Sequence, residues 1–282
     1  MFEKYINNRF FILYICPLIL GALATLSFEP FNYIFLNFFI FPIIFFLIIF
    51  INKKSKAVYR KKPYKKNLFV FGLLFGFGFY FSSISWITNS LTFDENFKNL
   101  IPFAIILIPL FLSLFMALTV LFVGPYLNLN FPSLIIFSAA LALSDYFRAF
   151  LFTGFPWNLW AYSTTRVHEI LQILNKIGLY SYNLLVITFF LLPVFFFFKF
   201  NTFKKIIILI FSVSIFLSLY LYGNYEINKN KNYLANIDEK IFIKIISPNF
   251  DLEYGLSLEK IEKRFKKLIK YSEPDKTKKT LF

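Results

Sequence analysis

Few residues of this chain combine the type and spacing that catalysis or ligand binding requires. Its 282 residues include one cysteine, Cys16, and one histidine, His168. Neither a disulfide nor a cysteine-rich metal site can be assembled from them, and His168, beside Glu169 with no second histidine, reads as an interfacial residue rather than a ligand. Cys16 lies in an apolar run that disfavours a thiolate and supplies no base, so it reads as a small buried residue and not a nucleophile. Asp145 and Arg148 are more pointed. Residues three apart share a helix face, and opposite charges near the end of an apolar helix are tolerated when they pair with each other or reach a polar headgroup. Both outcomes are open from sequence. Next comes Phe152-Thr153-Gly154-Phe155-Pro156-Trp157-Asn158-Leu159-Trp160-Ala161-Tyr162-Ser163. Gly154 and Pro156 stop a helix and permit a turn, while two tryptophans and a tyrosine suit a membrane interface. Such a stretch is either an aromatic belt anchoring a bundle or an ordered wall beside a lipid site. Arg148, Trp157 and Tyr162 are the candidate lipid contacts, and no cofactor is expected.

The elements that must position these residues belong to a bilayer. Hydrophobic residues make up 58% of the chain, 44 of them Phe, and mean hydropathy is +0.65, which excludes an ordinary soluble globule. Runs approaching about 20 apolar residues, the length that crosses a hydrocarbon core, predict spans at Phe10 to Phe28, Tyr33 to Ile51, Leu68 to Leu91, Leu100 to Gly124, Phe131 to Leu151, Leu179 to Phe198 and Ile206 to Tyr222. Lys4 and Arg9 ahead of the first run, with Gly21, Ala22 and Ala24 near its end, imitate a secretory signal, but the runs that follow favour a retained span. Gly72, Gly76 and Gly78 predict a small-residue packing face on the third helix.

The formal charge of +15 accompanies abundant Lys, Asn, Ile and Phe, a codon-bias pattern that names no acidic partner by itself. Placement says more. Asn52 to Asn67 carries Lys53, Lys54, Lys56, Arg60, Lys61, Lys62, Lys65 and Lys66 without an acid, and such loops stay cytoplasmic. The cluster is short and flanked by spans, so nucleic acid is not an expected partner. With a cytoplasmic N-terminus, Lys199, Lys204 and Lys205 fall on the same side, and seven spans deliver everything after Gly223 to the opposite one.

That last segment changes character. Ile241 to Ser247 is β-prone, Pro248 to Gly255 is a polar turn, and Ser257 can cap a helix running to about Tyr271. Leu258, Ile261, Phe265, Leu268 and Ile269 share one face of it. A strand, an amphipathic helix and a new apolar run at Leu281-Phe282 are how an α/β layer begins. A basic helix lying on the membrane surface is the alternative, and it leaves the β-prone run without a role.

Arg148-Ala149-Phe150-Leu151-Phe152-Thr153-Gly154-Phe155-Pro156-Trp157 followed by Ala161-Tyr162-Ser163 resembles the R-x-x-x-x-T-G-F-P-W and G-Y-S pattern of bacterial apolipoprotein N-acyltransferases. Leu26-Ser27-Phe28-Glu29-Pro30-Phe31 is similar to that family's L-A-F-x-P-F turn. Gly76-Phe77-Gly78 leading to Trp86 is similar to its glycine-rich third helix, and Ile177-Gly178-Leu179-Tyr180 through Leu184-Leu185 to its I-G-x-x-x-x-x-L-L stretch. The tail matches more loosely. Ser247-Pro248-Asn249-Phe250 stands where the family's first soluble strand has Q-x-N-I, and Glu253-Tyr254 where a K-W pair follows. Tyr254 is the candidate to keep that aromatic contact.

The resemblance implies a polytopic α-helical membrane protein of about seven helices followed by the first β-α unit of a nitrilase-like domain. Residues 1–225 would form the transmembrane helical domain, 226–239 a linker and 240–282 the start of the periplasmic domain. It implies a multi-pass protein of the bacterial inner membrane. Its partners would be the lipid bilayer, a phospholipid acyl donor and diacylglyceryl-modified apolipoproteins. In such enzymes a cysteine thiolate takes the acyl group as a thioester, a glutamate moves protons, a lysine stabilises the oxyanion, and the acyl group passes to the lipoprotein's N-terminal amine. The resemblance puts that glutamate, lysine and cysteine beyond Phe282, so no catalytic residue is assigned here and the chain alone is expected to be inactive. Two other readings are a transporter or channel and a catalytically inactive lipid-binding scaffold.

Overall fold

The computed structural model describes residues 9–57, 63–151, 154–236, 242–251, 253, 255–273 and 280–281, apart from the side chains of Phe242, Thr280 and Leu281. Arg60, Lys61 and Lys62 of the basic loop lie outside the described residues. The chain divides into two compact units, residues 1–86 with 103–227, and residues 87–102 with 228–282.

The first unit is a helix bundle. We number its helices α1 (Phe11–Ser27), α2 (Ile34–Lys56), α3 (Tyr64–Thr92), α4 (Glu95–Tyr126), α5 (Phe131–Phe150), α6 (Leu179–Phe197) and α7 (Thr202–Ala235); α3, α4 and α7 also lend residues to the second unit. Among the described residues, the six from α2 to α7 are long and apolar enough to cross a membrane. The predicted first span is shorter than expected. At 1.5 Å per residue α1 is about 25 Å long, against about 30 Å of hydrocarbon. It stops because Phe28 turns extended, at φ −100° and ψ 170°, just ahead of Glu29-Pro30, where proline disfavours helix. The protein is a multi-pass helical membrane protein.

Two other expectations change. The run from Ile206 to Tyr222 marks only the apolar part of α7, which stays helical to Ala235. An apolar run reports depth in a bilayer, and no proline follows to break the hydrogen bonding. Most of the expected linker, 226–239, is therefore helix. Nor do the three glycines of α3 form one face. A Cβ on Gly72 or Gly76 would press on Ala117, Met116 or Ser113 of α4, whereas one on Gly78 would strike the Leu18 carbonyl of α1. Six residues along a helix turn the side chain well away from the i, i+4 face, so α3 receives a different neighbour on each side.

In the second unit, Phe242–Ile243 (β1) pairs in parallel with Thr280–Leu281 (β2), and helix α8 (Leu258–Ser272) lies between them in sequence. The Ser257 hydroxyl caps α8 by accepting from the Lys260 amide at 3.4 Å. Lys260, Arg264 and Lys267 recur on one face of α8 and hold the preceding turn: Lys260 on Glu253 at 2.9 Å, Arg264 on the Asp251 carbonyl at 2.8 Å, Lys267 on the Pro248 carbonyl at 2.9 Å. The apolar face keeps Leu258, Ile261, Phe265 and Ile269 exposed.

Candidate functional site

The site is built where α5 ends. Asn130 caps its start, accepting from the Ser133 amide at 2.9 Å, and the chain leaves the helix at Leu151. It then doubles back. The Gly154 amide donates to the Leu151 carbonyl at 2.9 Å, and the Phe155 amide to the Arg148 carbonyl at 2.9 Å. Gly154 sits at φ +74°, where a Cβ would run into the Ala149 carbonyl, so this turn needs glycine. Thr153 lies outside the described residues.

Arg148 holds the returning strand of this turn from below. Its Nη1 donates to the Phe155 carbonyl at 2.6 Å and the Trp157 carbonyl at 2.7 Å, and its Nη2 to Asp145 Oδ1 at 3.0 Å. The other Asp145 oxygen accepts from Asn183 Nδ2 of α6 at 2.9 Å, and Asn183 Oδ1 accepts from the Ala161 amide at 2.8 Å. Tyr80 of α3 places its ring 5.4 Å from the guanidinium. Arg148 is 2% exposed, Asp145 4% and Asn183 0%. The sequence left an ion pair and a headgroup contact open for Asp145 and Arg148, and the geometry is that of the buried ion pair. A charge pair this deep is tolerated only when nearly every polar atom is met. The ring of hydrogen bonds from α5 through α6 to the loop and back does that for all but Arg148 Nε.

The two tryptophans then part company. Trp160 is 1% exposed, its ring 4.7 Å from Phe41, 4.8 Å from Phe79 and 5.9 Å from Phe28. Trp157 is 50% exposed, its ring 5.3 Å from Trp86 and 6.2 Å from Phe155. Tyr162 is half-buried against the core, and burial, with Tyr180 adding to it, pushes its phenol above the ordinary value. Beside the loop a cleft of about 310 Å³ runs between Ile108, Phe111 and Phe115 of α4 and Arg148, Leu151 and Phe155. Apart from Arg148 its lining carries no polar side chain among the described residues, and it opens next to the doubled-back turn. Chemically this arrangement can hold a hydrocarbon chain. Among the described residues its lining offers no nucleophile, and no group of three or more His, Cys, Asp or Glu could hold a metal ion.

Of the sequence candidates, Arg148 and Trp157 are brought together through the Trp157 carbonyl. Tyr162 stands on the following turn, and Tyr254 lies outside the described residues. His168 is exposed at the start of a single-turn helix. Sequence inspection missed Asn183 and Tyr80, because a lone Asn or Tyr in an apolar run carries no motif of its own. A polar residue within a span was the available signal. All four matched stretches converge here: Phe28 on Trp160, Trp86 on Trp157, the loop itself, and Asn183 within the stretch from Ile177 to Leu185.

Comparison with known proteins gives the same grouping. The sequence profile described as the apolipoprotein N-acyltransferase N-terminal domain matches residues 20–192. The chain is 32% identical over 178 residues to the apolipoprotein N-acyltransferase of Brucella melitensis biotype 1, covering 61% of this chain and 32% of that protein. It is 30% identical over 180 residues to that of Rhodopseudomonas palustris, covering 64% and 32%. With that of Rickettsia bellii it shares 28% identity over 180 residues, covering 63% and 35%. The match spans about a third of the length of these relatives. With the family's N-terminal domain matched over residues 20–192, more than half of the chain, the chain belongs to the apolipoprotein N-acyltransferase family.

Proposed function

We propose that this chain is the membrane platform of an enzyme that moves a fatty acyl group from a phospholipid to the N-terminal amine of a diacylglyceryl-modified lipoprotein. In this reading α1 is the seventh membrane helix, short because the chain turns at Phe28. The N-terminus and the basic loop between α2 and α3 face the cytoplasm, and the segment after α7 lies in the periplasm of a bacterial inner membrane. Residues 240–282 are the first β-α unit of a nitrilase-like domain. The parallel pairing of β1 with β2 around α8 supports this, as does the exposed apolar face of α8, which an α/β layer would cover.

The observation that carries the proposal is the Arg148-bound loop beside the α4–α5 cleft. Arg148 acts as a positioning residue. It spends its donors on the Phe155 and Trp157 carbonyls and so fixes Trp157 as a half-exposed indole at the membrane interface. The donor's acyl chain lies in the cleft, with Trp157 and Tyr162 against the glycerol and ester region. A phospholipid carrying a photoreactive group on its acyl chain tests this on the chain itself. Illumination labels peptides containing Ile108 to Phe115 and Leu151 to Phe155. Labelling confined to the outer surface of α7 would leave the cleft without a lipid.

A further inference from the structure

About 28 Å along α3 from Trp86, at 1.5 Å per residue, a second cleft lies where α1, α2 and α3 meet near Asn67. Its volume is about 160 Å³. Ile12 and Leu13 of α1 and Phe50 and Ile51 of α2 form an apolar wall, and Arg9 and Lys54 stand at its rim. The polar floor is ordered. Asn67, 7% exposed, accepts from Arg9 Nη2 at 3.3 Å and donates to the Ser55 hydroxyl at 2.7 Å, and Ser55 is 6% exposed. Lys54 rests its ammonium 5.3 Å from the Phe50 ring centroid. Among the described residues no acid lines the cleft, and the sequence from Asn52 to Asn67 contains none.

Two cations with no carboxylate among the described lining residues, one of them oriented by a buried amide, call for an anion. Guanidinium and ammonium together suit a phosphodiester, which Arg grips through paired N–H donors and Lys as a point charge. The hydrocarbon wall beneath them calls for an acyl chain, which a free phosphate does not have. We propose that this cleft binds one anionic phospholipid, its phosphate on Arg9 and Lys54 and an acyl chain along Ile12, Leu13, Phe50 and Ile51. Basic pockets between membrane helices hold anionic headgroups by this physics. The site is separate from the Trp157 cleft and stands whether or not that cleft takes the acyl donor.

The test uses the whole chain in nanodiscs of phosphatidylcholine, with retained lipid read by native mass spectrometry. Phosphatidylglycerol is expected to be retained over phosphatidylcholine, and inorganic phosphate in excess is expected not to displace it. At about 1 kcal/mol per basic residue near a charged lipid, Lys54→Gln, at an exposed side chain, weakens retention about fivefold, and Arg9→Gln with Lys54→Gln by about twentyfold or more. Lys65→Gln with Lys66→Gln, which removes equal charge outside the cleft, changes retention less than about twofold. Equal retention of the two lipids by the unaltered chain would overturn the proposal. So would displacement by inorganic phosphate, or equal loss in the two double variants.

Discussion

At the level of single residues, the site depends on one guanidinium doing three jobs. Arg148 reaches two carbonyls through Nη1 and a carboxylate through Nη2. A lysine, with one nitrogen on a flexible stem, cannot span them. Arg148→Lys should therefore loosen the loop while the helices remain, and hydrogen exchange at the amides of Phe155 and Ala161 is predicted to quicken with exchange in α2 unchanged. Removing the partner is worse. Asp145→Ala leaves a buried unpaired cation and is expected to cost about 3–5 kcal/mol, read as a fall in thermal unfolding temperature in detergent. Gly154→Ala forces a Cβ into the Ala149 carbonyl at a left-handed φ, and about 1–3 kcal/mol of strain follows. The i, i+3 spacing made the Asp145–Arg148 pair legible in the sequence. The carbonyls that complete it were not, because a chain that folds back on itself leaves no mark in residue type.

Among the elements, close approach of helices decides the packing. Gly72 and Gly76 admit α4 while Gly78 admits α1, so Gly76→Leu should push α3 from α4 and cost about 1–3 kcal/mol by overpacking, measured by the same unfolding assay. The apolar runs located every long helix, since hydrophobic length is what a bilayer selects. In α7 they marked the apolar span and left out the polar half, which has no reason to stop being helical, and they merged two glycine faces because spacing alone does not name a neighbour. In the soluble segment, the hydrogen bond from Lys260 holds the Glu253 carboxyl below its usual value. A depressed folded value means the contact contributes above the ordinary carboxylate range and fades as pH falls through the lowered value. Chemical-shift titration should show the turn before α8 detaching on acidification below that range, and Glu253→Gln should abolish the dependence.

For the molecule as a whole, the proposal assigns the bundle one task, to gather and orient a phospholipid beside the Arg148-bound loop. The chain's one cysteine, Cys16, is the first residue of the α-helical part of α1, within an apolar stretch. The family was legible because the four matched stretches bracket one site, and each of them contributes a side chain or backbone group to it. The measurement closest to the claim is single-turnover formation of the thioester acyl-enzyme by a complete enzyme carrying this membrane domain. Trp157→Ala should slow that step by about tenfold, the loss of ~1.4 kcal/mol of aromatic contact, while Phe211→Ala on the exposed face of α7 leaves it unchanged. Equal rates for the Trp157 variant and the unaltered enzyme would contradict the account.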